Sequence, residues 1–291
     1  MSDLSDESSG AQVWLVTGAS RGLGMALTQQ LLAGGAQVAA TARRTGPLAG
    51  LAHVNPERLL VTAADMTSRP AVEAMVGAAL ERFRRIDVLV NNAGSGLFGA
   101  VEELSDEEIS GQLDTNVLGP WRFLRAVLPG MRTRGRGTVV NVSSVAGFVA
   151  QPGNGAYNAS KAAFDAMTEA LAREVRKFGV RVLLVQPGPF RTAFLGHSAG
   201  PAARIGAYPD YADATRGRAG RQASDPAKIA AQIIRAVQHP DPAFRLVLGS
   251  DAWSAIRAKL DVISADLSAS QNAAMSTAIE DHDRPTLAPP D

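Results

Sequence analysis

Cysteine is absent from the 291 residues, and with it go disulfide scaffolds, thiolate catalysis and Cys-ligated zinc or iron–sulfur centres. The four histidines are scattered along the chain, so no His-built metal site is expected. Neither sign of charge dominates. Twenty-nine basic residues against 28 acidic ones leave a net charge of +1, too little for the broad basic face of a nucleic-acid binder. No run approaches the ~18 consecutive apolar residues that cross a bilayer. Residues 1–10 carry Asp3, Asp6 and Glu7 with no basic residue, the reverse of a secretory leader, and a cytoplasmic location is expected. Lysine and tyrosine are also scarce: Lys161, Lys177, Lys228 and Lys259, and Tyr157, Tyr208 and Tyr211. What the chain does have is 46% hydrophobic residues and only 20% charged ones, enough to bury a sizeable core and to exclude wholesale disorder.

Residues 1–11 read as a solvated tail and the proline-rich 284–291 as a second one. Between them, short aliphatic runs alternate with helical patterns. The strands are expected at Val13–Thr17, Gln37–Ala42, Leu59–Ala63, Val88–Asn91, Thr138–Val142, Val180–Gln186 and Arg245–Leu248. Helices are expected over 22–33, 68–84, 105–131, 157–178 and 225–238. Continuous apolar strands alternating with helices describe a parallel sheet covered on both faces, a doubly wound, Rossmann-like α/β domain of about seven strands. That single domain is expected over 12–250, with a mobile insertion at 193–224 and a helical extension from 251.

The first strand runs into Thr17-Gly18-Ala19-Ser20-Arg21-Gly22-Leu23-Gly24, which opens the first helix. Gly18 permits a tight turn, Gly22 and Gly24 let backbone approach a pyrophosphate, and the helix N-terminus offers unpaired N–H groups. The Gly-x-x-x-Gly-x-Gly spacing resembles that of the short-chain dehydrogenase/reductase family. So do Asn91-Asn92-Ala93-Gly94 after the fourth strand, Asn116, Ser144 after the fifth strand, Tyr157-Asn158-Ala159-Ser160-Lys161, and Pro187-Gly188 after the sixth. The resemblance covers about 12–250 and rests on the order and spacing of these motifs.

Tyr157 and Lys161 stand one helical turn apart, on one face. Reducing a ketone requires a proton for the nascent alkoxide, and a free tyrosine, with a pKa of about 10, is a poor base near neutrality. A unit cation ~4 Å away at an effective dielectric of ~20 favours phenolate by about 4 kcal/mol before desolvation is subtracted. Lys161 is therefore expected to lower the Tyr157 pKa. The resemblance implies further roles: Tyr157 as general acid/base, Ser144 bonded to the substrate oxygen, Lys161 also gripping the nicotinamide ribose, and Asn116 holding a water that joins Lys161 to solvent. Ser143, next to Ser144, is assigned to the strand end.

An NAD-binding Rossmann domain usually places Asp or Glu after the second strand, to hold the ribose 2′-OH. This chain reads Ala42-Arg43-Arg44 there. Guanidinium pairs with a 2′-phosphate that a carboxylate would repel, so Arg43, with Arg21 from the glycine turn, points to NADP(H). The resemblance implies that Asp65 and Met66 meet the adenine, that Asn92, Ala93 and Gly94 back its ribose, and that Pro187, Gly188 and Thr192 contact the carboxamide. Gly18, Ser20, Gly22, Leu23 and Gly24 complete that set.

The substrate pocket is expected between the segment after Ser144, the turn after Gly94 and 193–224, with Phe98, Phe148, Val149, Phe190, Phe194, Leu195, Tyr208 and Tyr211 as wall candidates. Their apolar character points to a hydrophobic ketone or secondary alcohol. Arg204, Arg216, Arg218 and Arg221 read as a solvated loop face, and Arg132, Arg134 and Arg136 as structural cations at a helix C-terminus. The resemblance also implies a homodimer or homotetramer with the Tyr157 helix at an interface. Two other readings stand beside the NADP(H) reductase: an NAD(H)-dependent alcohol dehydrogenase, and a non-catalytic dinucleotide sensor on the same fold.

Overall fold

The computed structural model describes residues 10–277. Of the expected tails 1–11 and 284–291, residues 1–9 and 284–291 lie outside them. The strands are β1 (Val13–Thr17), β2 (Gln37–Ala42), β3 (Leu59–Ala63), β4 (Val88–Asn91), β5 (Gly137–Val142), β6 (Val180–Pro187) and β7 (Arg245–Leu248). All seven run parallel in one sheet, in the order β3-β2-β1-β4-β5-β6-β7. The helices are α1 (Gly22–Ala33), α2 (Ala49–Val54), α3 (Arg69–Phe83), α4 (Asp106–Leu113), α5 (Gly119–Arg134), α6 (Gly155–Arg176), α7 (Tyr211–Arg216), α8 (Pro226–Gln238) and α9 (Ser250–Met275).

Alternate side chains of β1 feed opposite cores. Trp14 and Val16 pack with Leu27 of α1 and Ile233 of α8. Val13 and Leu15 pack with Met75 of α3, Phe123 of α5 and Leu171 of α6. Because both faces are covered, the central strands carry no polar alternation. Side chains start several helices: Ser68 accepts from Ala71 N, Asp225 from Ala227 N, and Ser105 forms a reciprocal capping box with Glu108. The chain winds one way from β1 to β3 and the other way from β4 onward. The crevice for a ligand therefore opens beyond the carboxyl ends of β1 and β4.

One expectation needs correction. The single helix over 105–131 is broken: α4 and α5 are joined by a π-helical turn at Asp114–Leu118. Pro120 has no N–H to return to the Asn116 carbonyl four residues back, so a regular α-helix cannot run through this point. The 193–224 stretch is tied to the rest of the fold at several points. It carries α7 and a short 3-10 turn at Leu195–His197, and bridges join Leu97 to Ala199 and Phe190 to Ser224. No described helix is long and apolar enough to cross a membrane.

Candidate active site

The glycine turn is locked to the end of β4. Thr17 Oγ1 accepts from the N–H groups of Asn92 (2.9 Å) and Ala93 (3.0 Å), while Asn92 Nδ2 donates to Thr17 O. Gly18 has φ +67°, and a Cβ there would come within 2.9 Å of Ala93 Cα. A Cβ on Gly24 would run into Gly18 O. These two positions admit only glycine, for reasons of strain and of space. No side chain caps the start of α1, so its first N–H groups open into the crevice.

That crevice is a cavity of about 1160 Å³ that reaches from Arg21, Arg43, Arg44 and Asp65 at one end to Tyr157, Phe98 and Phe194 at the other. At the first end Arg21, Arg43 and Arg44 are exposed. The Asp65 carboxyl is held below its usual range by hydrogen bonds from the Thr67 N–H and hydroxyl, with Arg43 and Arg122 adding to the effect. Gly18, Ser20, Gly22, Leu23, Met66, Asn92, Ala93, Gly94, Pro187, Gly188 and Thr192 also border the cavity.

At the other end, the helical turn between Tyr157 and Lys161 puts the ammonium 5.9 Å from the ring centroid. The ring is flanked by Phe98 (5.5 Å between centroids) and Phe194 (6.0 Å). Lys161 Nζ donates to Val142 O (3.1 Å). Ser144 lies two residues past β5, its hydroxyl accepting from Ala146 N (3.1 Å) and bonding the Tyr157 hydroxyl.

Here the expected sign of the tyrosine shift is overturned. Burial pushes the Tyr157 hydroxyl up to about 12, the nearby Asp165 charge works in the same direction, and only the Ser144 hydrogen bond opposes them. Burial pushes Lys161 down to about 8, against the attraction of Asp165. For Tyr157 burial outweighs the Ser144 hydrogen bond, and for Lys161 it outweighs the attraction of Asp165.

Asn116 is buried in the π-helical turn and its amide is fully engaged. Oδ1 accepts from Ser95 N (2.9 Å), and Nδ2 donates to Ser95 O (2.9 Å) and Ser160 Oγ (3.0 Å). The amide therefore braces the segment after Gly94. Its backbone carbonyl is the group left without an α-helical partner.

A family model for short chain dehydrogenases matches residues 12–200. The chain belongs to this family. A short-chain dehydrogenase from Streptomyces avermitilis of known structure superposes with a TM-score of 0.86 at 40% identity, over 93% of this chain and all of that one. The 3-ketodihydrosphingosine reductase of Bacteroides thetaiotaomicron is 37% identical over 244 residues, 82% of this chain and 88% of the relative. A Burkholderia phymatum short-chain dehydrogenase solved with NAD has a TM-score of 0.78 at 26% identity, over 88% of this chain and 95% of that one. One from Burkholderia cenocepacia solved with NADP has 0.68 at 28%, over 91% and 96%.

In this short-chain dehydrogenase the wall around Tyr157 differs from the expectation. Phe98, Val149, Phe190, Phe194 and Leu195 border the cavity, but Phe148, Tyr208 and Tyr211 do not. Tyr208 donates to Glu102 (2.6 Å) on the surface, and Tyr211 packs against Gly153. Arg204 pairs with Glu103 and Asp210, Arg216 lies beside Asp213, and Arg218 reaches the cavity. Sequence reasoning missed Asp165, Ser160 and Ser95, while Asp251, Ala252 and Ala255 of the C-terminal helix α9 close one side of the cavity. The Asp165 carboxyl is raised by burial, although Ser143, Gln186 and Lys161 stabilise its charge, and Gln186 Nε2 donates to it at 2.7 Å. A buried acid at helical spacing from Lys161 was its available signal.

Proposed function

We propose that the protein is an NADP(H)-dependent oxidoreductase interconverting hydrophobic ketones and secondary alcohols. The observation that carries this reading is the cavity itself, with an uncapped helix N-terminus and guanidinium groups at one end and a Ser144–Tyr157–Lys161 cluster in an aromatic wall at the other. The donor set fits a dinucleotide. The glycines at 18 and 24 leave space that a Cβ would fill, the α1 N–H groups suit a pyrophosphate, and Arg21, Arg43 and Arg44 suit a 2′-phosphate with no carboxylate at the end of β2 to repel it. Related enzymes solved with NADP and with NAD support a nicotinamide cofactor, and the arginines favour the phosphorylated one.

Bound there, the cofactor would supply hydride to a carbonyl carbon or accept it from the carbinol carbon of the alcohol. Ser144 donates a hydrogen bond to the substrate oxygen and holds it beside Tyr157. In the reductive direction the carbonyl π bond breaks and the oxygen takes the Tyr157 proton. A phenol held near 12 is fully protonated at neutral pH and ready to give that proton to an alkoxide, which is far more basic. Lys161, positive below about pH 8, stabilises the tyrosinate left behind. Asn116 Oδ1 and the Lys161 ammonium both lie close over Gly94, which supports a role for Asn116 in a proton path from Lys161 to solvent. Phe98, Val149, Phe194 and Leu195 keep water from the reacting carbon and select apolar substrates. The relative named as a reductase of a keto-lipid is consistent with such a pocket. Leu118 and Trp121, half exposed at the start of α5, suit the homodimer or homotetramer proposed for the intact enzyme.

Fluorescence titration of the purified protein with NADPH and NADH tests the cofactor. NADPH is expected to bind at least about tenfold tighter, about 1.4 kcal/mol, and Arg43→Asp to erase the difference. Equal affinity would assign the arginines to the solvated surface and favour the NAD(H) alcohol dehydrogenase. Failure of both to bind would sink the enzyme reading.

A further inference from the structure

α9 runs out along the surface of the molecule. Of its 26 residues only Ala252 is buried, and the helix is about 39 Å long at 1.5 Å per residue. Such a helix normally owes its stability to an apolar face packed against something. Here Trp253, Ile256, Leu260, Ile263 and Leu267 follow one another at intervals of three, four, three and four residues. This is the a/d spacing of a coiled-coil seam. Four of these five face solvent, Trp253 being 63% exposed, Leu260 45%, Ile263 41% and Leu267 70%, while Ile256 is half-buried.

We infer that the seam is an interaction surface for α9 of a second copy of this chain, the two helices packing antiparallel. The charges beside the seam choose both the partner and its direction. Lys259 and Asp266 occupy equivalent flanking positions one heptad apart, and neither has an ion-pair partner among the described residues. When Leu260 packs against Ile263 of an antiparallel copy, and Ile256 against its Leu267, Lys259 falls opposite Asp266 of that copy. The two-fold axis repeats the pair. A parallel pairing sets Lys259 against Ser264 and Arg257 against Ala252, with no attraction in either place. The opposed helix dipoles also favour the antiparallel form. Two heptads cover less than the roughly 1,600 Å² of a standard interface, so the contact is concentration dependent in the micromolar range. On the inner side of the same helix, Ala252 and Ala255 border the catalytic cavity, and pairing steadies that wall.

Sedimentation equilibrium of the full chain at micromolar concentrations tests this. Lys259→Asp and Asp266→Lys each create two like-charge pairs, and each is expected to weaken association about tenfold. The double variant, which exchanges the charges, returns to wild-type strength. An equal mixture of the two single variants associates more tightly than either alone. Leu260→Asp removes the same step without loss of helical circular dichroism, because its side chain is exposed in the folded chain. Trp121→Glu, which alters the α5 face, leaves the step in place. The inference is overturned if the wild type shows no association that Leu260→Asp removes, if the single variants assemble like wild type, or if the double variant is no stronger than they are. It is also overturned if deleting 278–291, but not charge reversal, increases acrylamide quenching of Trp253, since the chain's own tail would then cover the seam.

Discussion

At the scale of single residues, the cluster at the deep end of the cavity is governed by desolvation more than by attraction. Burial holds the Tyr157 phenol near 12 and the Lys161 ammonium near 8, so at neutral pH the pair carries one proton ready for transfer and one positive charge to stabilise its loss. Tyr157→Phe removes the proton and leaves the cavity shape. It should lower kcat/KM for reduction by about 10²–10⁴-fold with cofactor affinity nearly unchanged, as measured by steady-state kinetics beside a binding titration. The reductive rate should fall as pH rises through about 8, where Lys161 loses its charge, and this inflection should be missing from the residual activity of Lys161→Met. The stability consequence follows by linkage. Between about 8 and the ordinary 10.5 the unfolded chain keeps the Lys161 proton and the folded chain has lost it, so this group adds stability with rising pH. Denaturant melts across that window should show the wild type gaining on Lys161→Met. Tyr157 acts in the opposite direction, from 10 to about 12. The residue types at 144, 157 and 161 were legible because tyrosine and lysine are so scarce in this chain. The sign of the tyrosine shift was not, since it depends on how deeply the packed fold buries the phenol.

At the scale of elements, the substrate segment is held by one buried carboxylate. Glu103 accepts from Ala100 N, from Ile205 N (3.0 Å) and from Arg204 Nε (3.0 Å), and the backbone hydrogen bonds, first that from Ala100, hold its carboxyl below the usual range. Glu108 adds an anchor by accepting from Ala202 N, and the N–H of Phe98 binds Ala199 O. A depressed carboxyl stabilises the fold above its ordinary pKa and loses that contribution as pH falls through the folded value. Glu103→Gln should therefore mimic acid. It should speed limited proteolysis within 193–224 several-fold and raise KM more than it lowers kcat, while far-UV circular dichroism stays unchanged. If proteolysis were unaffected, the anchor would be incidental. Composition marked 193–224 as long and rich in small residues. It did not mark the anchors, because Glu102, Glu103 and Glu108 lie about a hundred residues away in sequence.

At the scale of the whole molecule, two cores share one sheet. β1 supplies Trp14 to one face and Leu15 to the other, so neither layer can open without exposing the strands that support its counterpart. Unfolding should therefore be a single transition. Trp14 is 1% exposed, whereas Trp121 and Trp253 lie open, so a Trp121→Phe/Trp253→Phe background reports the core alone. Its fluorescence melt should coincide with the loss of helical circular dichroism, and two separate midpoints would refute the coupling. Phe123→Ala, which empties a fully buried position under β1 and β4, should cost about 3–5 kcal/mol in the same assay.

The sequence by itself determined the seven strands to within about a residue at each end, the glycine turn and the helical face shared by Tyr157 and Lys161. All of these depend on local spacing: continuous apolar runs, a glycine where Cβ cannot fit, and the 3.6-residue period. Only the tertiary structure decided what depends on distant groups meeting. It broke the 105–131 helix around Asn116, whose amide is bonded to Ser95 and Ser160, and it brought Asp165 beside Lys161. It also removed Tyr208 and Tyr211 from the cavity and left the apolar stripe of α9 facing solvent. A residue's neighbours along the chain set its backbone, but water exclusion and hydrogen-bond partners are set by the packed fold, and they fix the charge each site residue carries.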